Sequence, residues 1–548
     1  MNRRQLVARG ALAAGWALAA ARGARGFVRG GEAGGPDGQD EGGTRSFLCD
    51  DADLMRVYAS ALATLRGNVV QLQDFPGPVL AEGSVYPGVW LECGPQEALV
   101  WSAWGTETAR AVARNQHLMF FALQKEDGQL PYAVKARTTT GGAGSPGGPG
   151  WGQIQMVVPV AATAWELAQR TGDHELLEKA YAACGRWDAW LRKYRNTRGT
   201  GLCEGFCTWD TGMDNSPRWK GEPNSCPDED ARQCPPGAGL PRLCPDLSAT
   251  VYGGRVALAA MAEALGKSGE RDQWTQDAEG IRRLIVEQLY YAEDSGFYDL
   301  GAQGRFVWVR SAATLRVLGE HVPDAQLFEA VWKRQVHNEK VFWAPVPFPS
   351  VALDDPEFVR PIPRNSWGGA AQALTALRAP RWMEHYGKPA ELAWVMERWV
   401  QAVLRADGFR QQLDPVSGEF TADAGGYSPT ALVLLDFVWR LSGVREDGDL
   451  VEWNVRPPAR GRTTFSAQVH GVSAELRYDG GADGVTGEMR IGGKSVASVL
   501  GVVRVLTTKT GELREVVGIA DGLSPVTLRV GGAERRLQVE ANTRVKLS

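Results

Sequence analysis

The chain has 548 residues, 44% hydrophobic and 23% charged, with 60 lysines and arginines against 64 aspartates and glutamates. A formal net charge of −4 argues against a nucleic-acid partner, which calls for a basic face, and the length calls for two or three domains with a sizeable buried core. The 20 tryptophans are the outlier; most are expected to pack, and the rest offer flat faces on which sugar rings can lie.

The first segment, 1-MNRRQLVARGALAAGWALAAARGARG-26, has a basic start, an apolar run and small residues at its end. It reads as an export signal, since the apolar run is too short to span a bilayer. Arg3 and Arg4 ahead of Gln5, Leu6 and Val7 resemble a twin-arginine signal. Residues 27–46 are glycine-rich and acidic, the composition of a flexible linker. A periplasmic or secreted protein with no membrane segment after signal removal is the expectation. Eight cysteines suit an oxidising compartment, and five of them (Cys203, Cys207, Cys226, Cys234 and Cys244) crowd one glycine- and proline-rich stretch. Disulfides are the reading there. A zinc site is the rival, without CxxC spacing or a nearby histidine.

From 47 to 445 the apolar spacing is helical, as in 154–173, 174–194, 248–270, 272–290, 389–408 and 428–443. Short turns between successive segments give the rhythm of helical hairpins, and about a dozen helices are predicted. The expected architecture is a mainly α molecule, an (α/α)6 toroid whose long loops line a central pocket. Those loops are 83–97, 137–153, 201–247, 342–369 and 409–427, rich in glycine, proline and tryptophan. From 446 to 548 the pattern becomes alternation with glycine turns, which predicts a small antiparallel β-sandwich.

Within the third loop stands 208-TWDTGMDNSPRW-219, with two aspartates four apart between tryptophans. Turn formation alone explains Asp-Asn-Ser-Pro but not Trp209, Arg218 and Trp219 as well. The stretch from Trp209 to Trp219 resembles the motif W-[DE]-[ST]-G-x-D-N-S-P-R-W of the mannosylglycerate-hydrolase-like branch of glycoside hydrolase family 63, related to trehalases and glucoamylases. Weaker likenesses run through 124–131, 153–155, 246–252 and 412–419. The resemblance implies inverting hydrolysis of an α-linked sugar from a chain end, with a carbohydrate substrate and no cofactor or metal. Inversion needs an acid on one face of the bond and a base on the other, about 6.5–9.5 Å apart. By the match Asp214 is the general acid and Asp210 a sugar-binding carboxylate. Asn215, Arg218, Trp209 and Trp219 join the candidate substrate contacts, with Trp90, Glu92, Gln153, Gln155, Asn365 and Trp367 from facing loops.

The base is where the chain departs. The resemblance places a glutamate where 411-QQLDPVSGE-419 has Gln411, and a neutral amide does not take a proton from water. Glu419 and Asp423 on the same loop, and Glu92 and Asp355 on facing ones, are the candidate replacements. An inverting phosphorylase, needing only the acid, and a homologue that binds sugar without cleaving it are the alternatives. A different class, the helical-toroid polysaccharide lyases, would use Tyr427, His385, Asn365 and Arg364.

Overall fold

The computed structural model describes residues 44–547 apart from 84–85, 138–146, 422–423, 458–460 and 482–483. The export signal, most of the linker and Asp423 lie outside the described residues.

Among the described residues twelve α-helices follow one another: α1 Ala52–Gly67, α2 Gly94–Ser102, α3 Glu107–Ala122, α4 Val160–Thr171, α5 His174–Tyr194, α6 Pro245–Ala264, α7 Ser268–Leu289, α8 Ala313–Gly319, α9 Ala325–Val331, α10 Ala373–His385, α11 Pro389–Arg405 and α12 Ser428–Ser442. Local chemistry sets their ends. Asp51, Thr106 and Asp173 accept from the backbone N–H groups of Leu54, Ala109 and Leu176 at 2.9–3.0 Å, each satisfying a donor that its helix leaves open. The even-numbered helices α2, α4, α6, α8, α10 and α12 touch in turn, and α12 returns to α2. They form a closed inner ring. Helices α1, α3, α5, α7 and α11 pack outside it, each against a neighbouring inner helix. Helix α12 carries apolar residues nearly all round and is buried along most of its length, as a helix with neighbours on every side requires. Most tryptophans are packing: Trp104, Trp190, Trp382, Trp399, Trp439 and Trp453 are almost fully buried.

The strand-rich part is larger than the sequence suggests. With 39% helix, 23% strand and twenty-five strands among the described residues, the mainly α class is corrected to a mixed α and β molecule. Two kinds of strand escaped sequence reading. Pairs such as Glu204–Gly205 with Arg242–Leu243 are two residues long, too short to alternate visibly. The other is Arg45–Cys49, at the end of the segment read as linker and the start of the helical one. It pairs antiparallel with Gly461–Val469, placing Arg45 opposite Ala467, and becomes the edge of a seven-stranded sheet. A five-stranded antiparallel sheet, from Val444–Asp447 to Arg544–Lys546, contacts the larger one. Ion pairs tie the sheets to the helices: Arg504 to Glu384 of α10 at 2.7 Å, and Arg456 to Glu397 of α11. The described residues form one compact unit.

Candidate active site

Residues 208–219 make two tight turns joined at Gly212. The first, Thr208–Thr211, ends in Gly212 with φ of 60°, the left-handed region. A Cβ at Gly212 would also collide with Oε2 of Glu92, so this glycine both turns the chain and admits a carboxylate. The second turn, Pro217–Trp219, carries Arg218. Between them Asp214 is fixed by bonds to the facing loop. Its carbonyl accepts from Trp367 N–H at 2.9 Å, and its Oδ2 accepts from Asn365 Nδ2 at 3.3 Å. Asn215, at φ 57°, donates from Nδ2 to the Asn365 carbonyl at 2.9 Å.

Asp214 faces a cavity of about 170 Å3 lined by Glu82, Tyr86, Trp90, Glu92, Tyr132, Lys135, Gln153, Gln155, Trp209, Gly212, Trp367 and Gln411. A larger concavity of about 1010 Å3 lies between α5, α6 and α7 but includes no part of 208–219. The smaller one is the candidate site, because carboxyl groups, amides and aromatic faces converge there. Of the residues singled out from sequence, the structure gathers Asp214, Gln411, Trp209, Trp90, Glu92, Gln153, Gln155 and Trp367 around it. Asn365 stands behind Asp214, bonded also to Gln411 Nε2 through Oδ1 at 3.4 Å.

Other assignments are corrected. Asp210 is fully buried: its oxygens accept from Arg195 and from the N–H groups of Ile154, Phe206 and Cys207. It anchors the loop and presents nothing to a ligand. Arg218 is buried between Asp246 and Asp299, and the Trp219 ring, equally buried, donates to Thr211 Oγ1 at 3.0 Å. Both hold the turn from behind. Asn215 is exposed outside the cavity lining. Glu419 is exposed on the outside of its loop, and Asp355 accepts from the N–H groups of Arg310 and Glu357 away from the cavity. The lyase arrangement is not assembled. His385 stacks on His321 at the C-terminal end of α10, and the Tyr427 hydroxyl is committed to Glu82 Oε1 at 2.6 Å.

Glu82, Tyr86, Tyr132 and Lys135 line the cavity without having been singled out. Glu82 directly precedes the glycine-rich loop that begins at Gly83, so only the edge drawn for that loop excluded it. Burial sets the electrostatics. It raises Asp214, with the Asn365 amide pulling the other way. Glu92 is pushed up to about 7 by burial, against the hydrogen bond from Gln155 at 2.9 Å, and the Asp214 charge adds to the rise. Glu82 is raised well above the ordinary range by burial and then by the charges of Glu97 and Glu92.

Three buried clusters among the described residues have metal-ligand chemistry. In Cys207–Asp210–Cys226 and Cys244–Asp246–Asp299 an arginine already pairs with the carboxylates, Arg195 and Arg218 respectively. The third, Glu82–Glu92–Cys93, borders the cavity.

A ring of helices whose loops bring acids, amides and tryptophan faces to one small cavity is the architecture of a glycoside hydrolase domain. The chain belongs to the mannosylglycerate hydrolase MGH1-like glycoside hydrolase domain family, whose model matches residues 98–430, more than half of it. This is the family 63 branch that the motif resembles. A mannosylglycerate hydrolase of Selaginella moellendorffii is 28% identical over 195 residues, covering 33% of this chain and 38% of the relative. The chain thus matches less than half the length of that relative. A family 63 mannosylglycerate hydrolase from Thermus thermophilus, solved with Tris, shares the fold with a TM-score of 0.57 at 20% identity, over 70% of this chain and 99% of that one. A structure described as a sialidase has a TM-score of 0.62 at 17% identity, covering 85% and 41%.

Proposed function

We propose that the chain is an exported, inverting glycoside hydrolase, exo-acting on an α-linked di- or oligosaccharide or glycoside, with Asp214 as general acid. One observation carries this reading. Asp214 presents a half-buried carboxyl to a small aromatic-walled cavity, with its proton held more tightly than an exposed aspartate holds one. An acid must be protonated when the leaving oxygen departs, and burial secures that. A cavity of about 170 Å3 suits a single terminal sugar better than the middle of a chain. The two described relatives named as mannosylglycerate hydrolases make mannosylglycerate a first substrate to try.

The test is sugar release from mannosylglycerate and a panel of α-linked disaccharides, comparing wild type with Asp214→Asn. Loss of at least about 100-fold in the variant is expected, with the opposite anomer appearing first by proton NMR. Equal release by both proteins would remove Asp214 from the mechanism. A second reading, sugar binding without turnover, is favoured by Gln411 alone. It would show as affinity without product.

Export supplies an oxidising setting, and the structure holds a pair suited to it. The sulfurs of buried Cys207 and Cys226 are 3.9 Å apart on either side of the acid-bearing turn. A small movement brings them to bonding distance, with two thiols giving up two protons and two electrons to a disulfide oxidant. Peptide mapping without reductant of protein recovered from the periplasm should recover the two cysteines as one linked peptide. Free thiols at both positions would contradict the pairing.

A further inference from the structure

We infer that Glu92 is the general base of this site, taking the place of the glutamate that Gln411 replaces, and that Glu82 is its tuning partner. The inference rests on the reading of Asp214 as the acid. Both ends of the Gln411 amide are already engaged. Its Oε1 accepts from the Tyr86 hydroxyl at 3.2 Å and its Nε2 donates to Asn365. It positions its neighbours and takes up no proton.

Among the described residues three carboxyl groups line the cavity: Asp214, Glu92 and Glu82. A carboxyl oxygen of Glu82, one of Glu92 and the Cys93 sulfur all lie within 4.8 Å of one another. Two buried carboxyls so close do not both ionise readily at neutral pH, because the second charge meets both desolvation and the first charge. Their surroundings decide which is ionised. Glu92 accepts from Gln155 Nε2 at 2.9 Å and feels the guanidinium groups of Arg316 and Arg378. Among the described residues Glu82 accepts from the Tyr427 hydroxyl and feels the acidic groups of Glu97, Glu92 and Asp214. Glu92 is therefore the member that carries the charge, and Glu82 keeps its proton. In the reaction Glu92 takes a proton from water as the water oxygen bonds to the anomeric carbon. The glycosidic C–O bond breaks and its oxygen leaves with the Asp214 proton. Both groups then reset by exchange with solvent.

The experiment follows turnover of a glycosyl fluoride, whose leaving group needs no acid, and of an unactivated glycoside. Wild type, Glu92→Gln, Glu82→Gln and Asp214→Asn are compared with and without azide. Glu92→Gln should lose at least about 100-fold in kcat on both substrates, with azide restoring turnover as an inverted glycosyl azide. Glu82→Gln removes the charge that competes with Glu92, so it should move the acid limb of kcat/KM to lower pH. Asp214→Asn should fail only on the unactivated glycoside, so failure of the acid reading is seen separately from failure of this one. Because Glu92→Gln could misfold, the double variant Glu92→Gln with Gln411→Glu is made too, and it should regain turnover. Near-normal activity of Glu92→Gln, azide rescue confined to Glu82→Gln, or a wild type inert toward the fluoride would each overturn the inference.

Discussion

At the scale of single residues, the motif divides its labour between groups that face the cavity, Trp209 and Asp214 among them, and several that hold them there. Asp214 and Asp210 are four apart and chemically identical, yet one meets the cavity and the other is sealed behind it by an arginine. Asp210→Asn would leave the Arg195 guanidinium buried and uncompensated. We predict a loss of about 3–5 kcal/mol in stability by denaturant unfolding, a cost of the kind seen when a buried pair loses one partner. The pH profile has a defined sign. Glu92, raised to about 7, must be ionised to act, so the rate falls as pH drops through about 7. Asp214 acts as an acid in its protonated form, and burial makes it hold that proton to higher pH than an exposed aspartate does. The Asn365 amide stabilises the charged form of Asp214; Asn365→Ala should therefore raise the Asp214 pKa further, read by NMR titration of its carboxyl. That Asp214 belongs to the pocket was legible because eleven consecutive residues carry the motif. The burial of Asp210, Arg218 and Trp219 was not, since sequence order does not say which side of a turn faces inward.

At the scale of elements, helix α2 contains an exception to ordinary core chemistry. Glu97 is fully buried, and its carboxyl is raised from 4.5 to about 8 by burial first, against a hydrogen bond from the Cys93 thiol. Between those values the folded chain holds a proton that the unfolded chain releases. The stabilising contribution is complete below 4.5 and is lost as pH rises through about 8, with a slope of up to about 1.4 kcal/mol per pH unit. Thermal unfolding from pH 5 to 8 should show a falling Tm, and Glu97→Gln should flatten that fall. The helices themselves were readable from their 3.6-residue period because most are long and one-sided. The two-residue strand pairs that brace the loops were not. They exist through tertiary pairing and leave no pattern of their own.

At the scale of the whole molecule, the helical ring and the two sheets share one compact unit, and the strand Arg45–Cys49 belongs to the sheet farthest from it in sequence. Phe47 on that strand is fully buried and packs against Tyr58 of α1, with ring centroids 4.8 Å apart. It joins the sheet to the helices. Phe47→Ala should cost about 3–5 kcal/mol, measured by denaturant unfolding, and should weaken sheet and helix together rather than fraying one edge. Sequence alternation found the late strands and missed this one, because five residues after a glycine-rich run give too few alternations to read.

The pairing of Arg45 with Ala467 also governs when the molecule can be finished. A strand made so long before its partner stays unpaired until residues 461–469 have emerged from the ribosome, so the nascent chain carries an open edge throughout that interval. Closure of such a distant contact is entropically slow. The completed form is thus reached only after those residues are released.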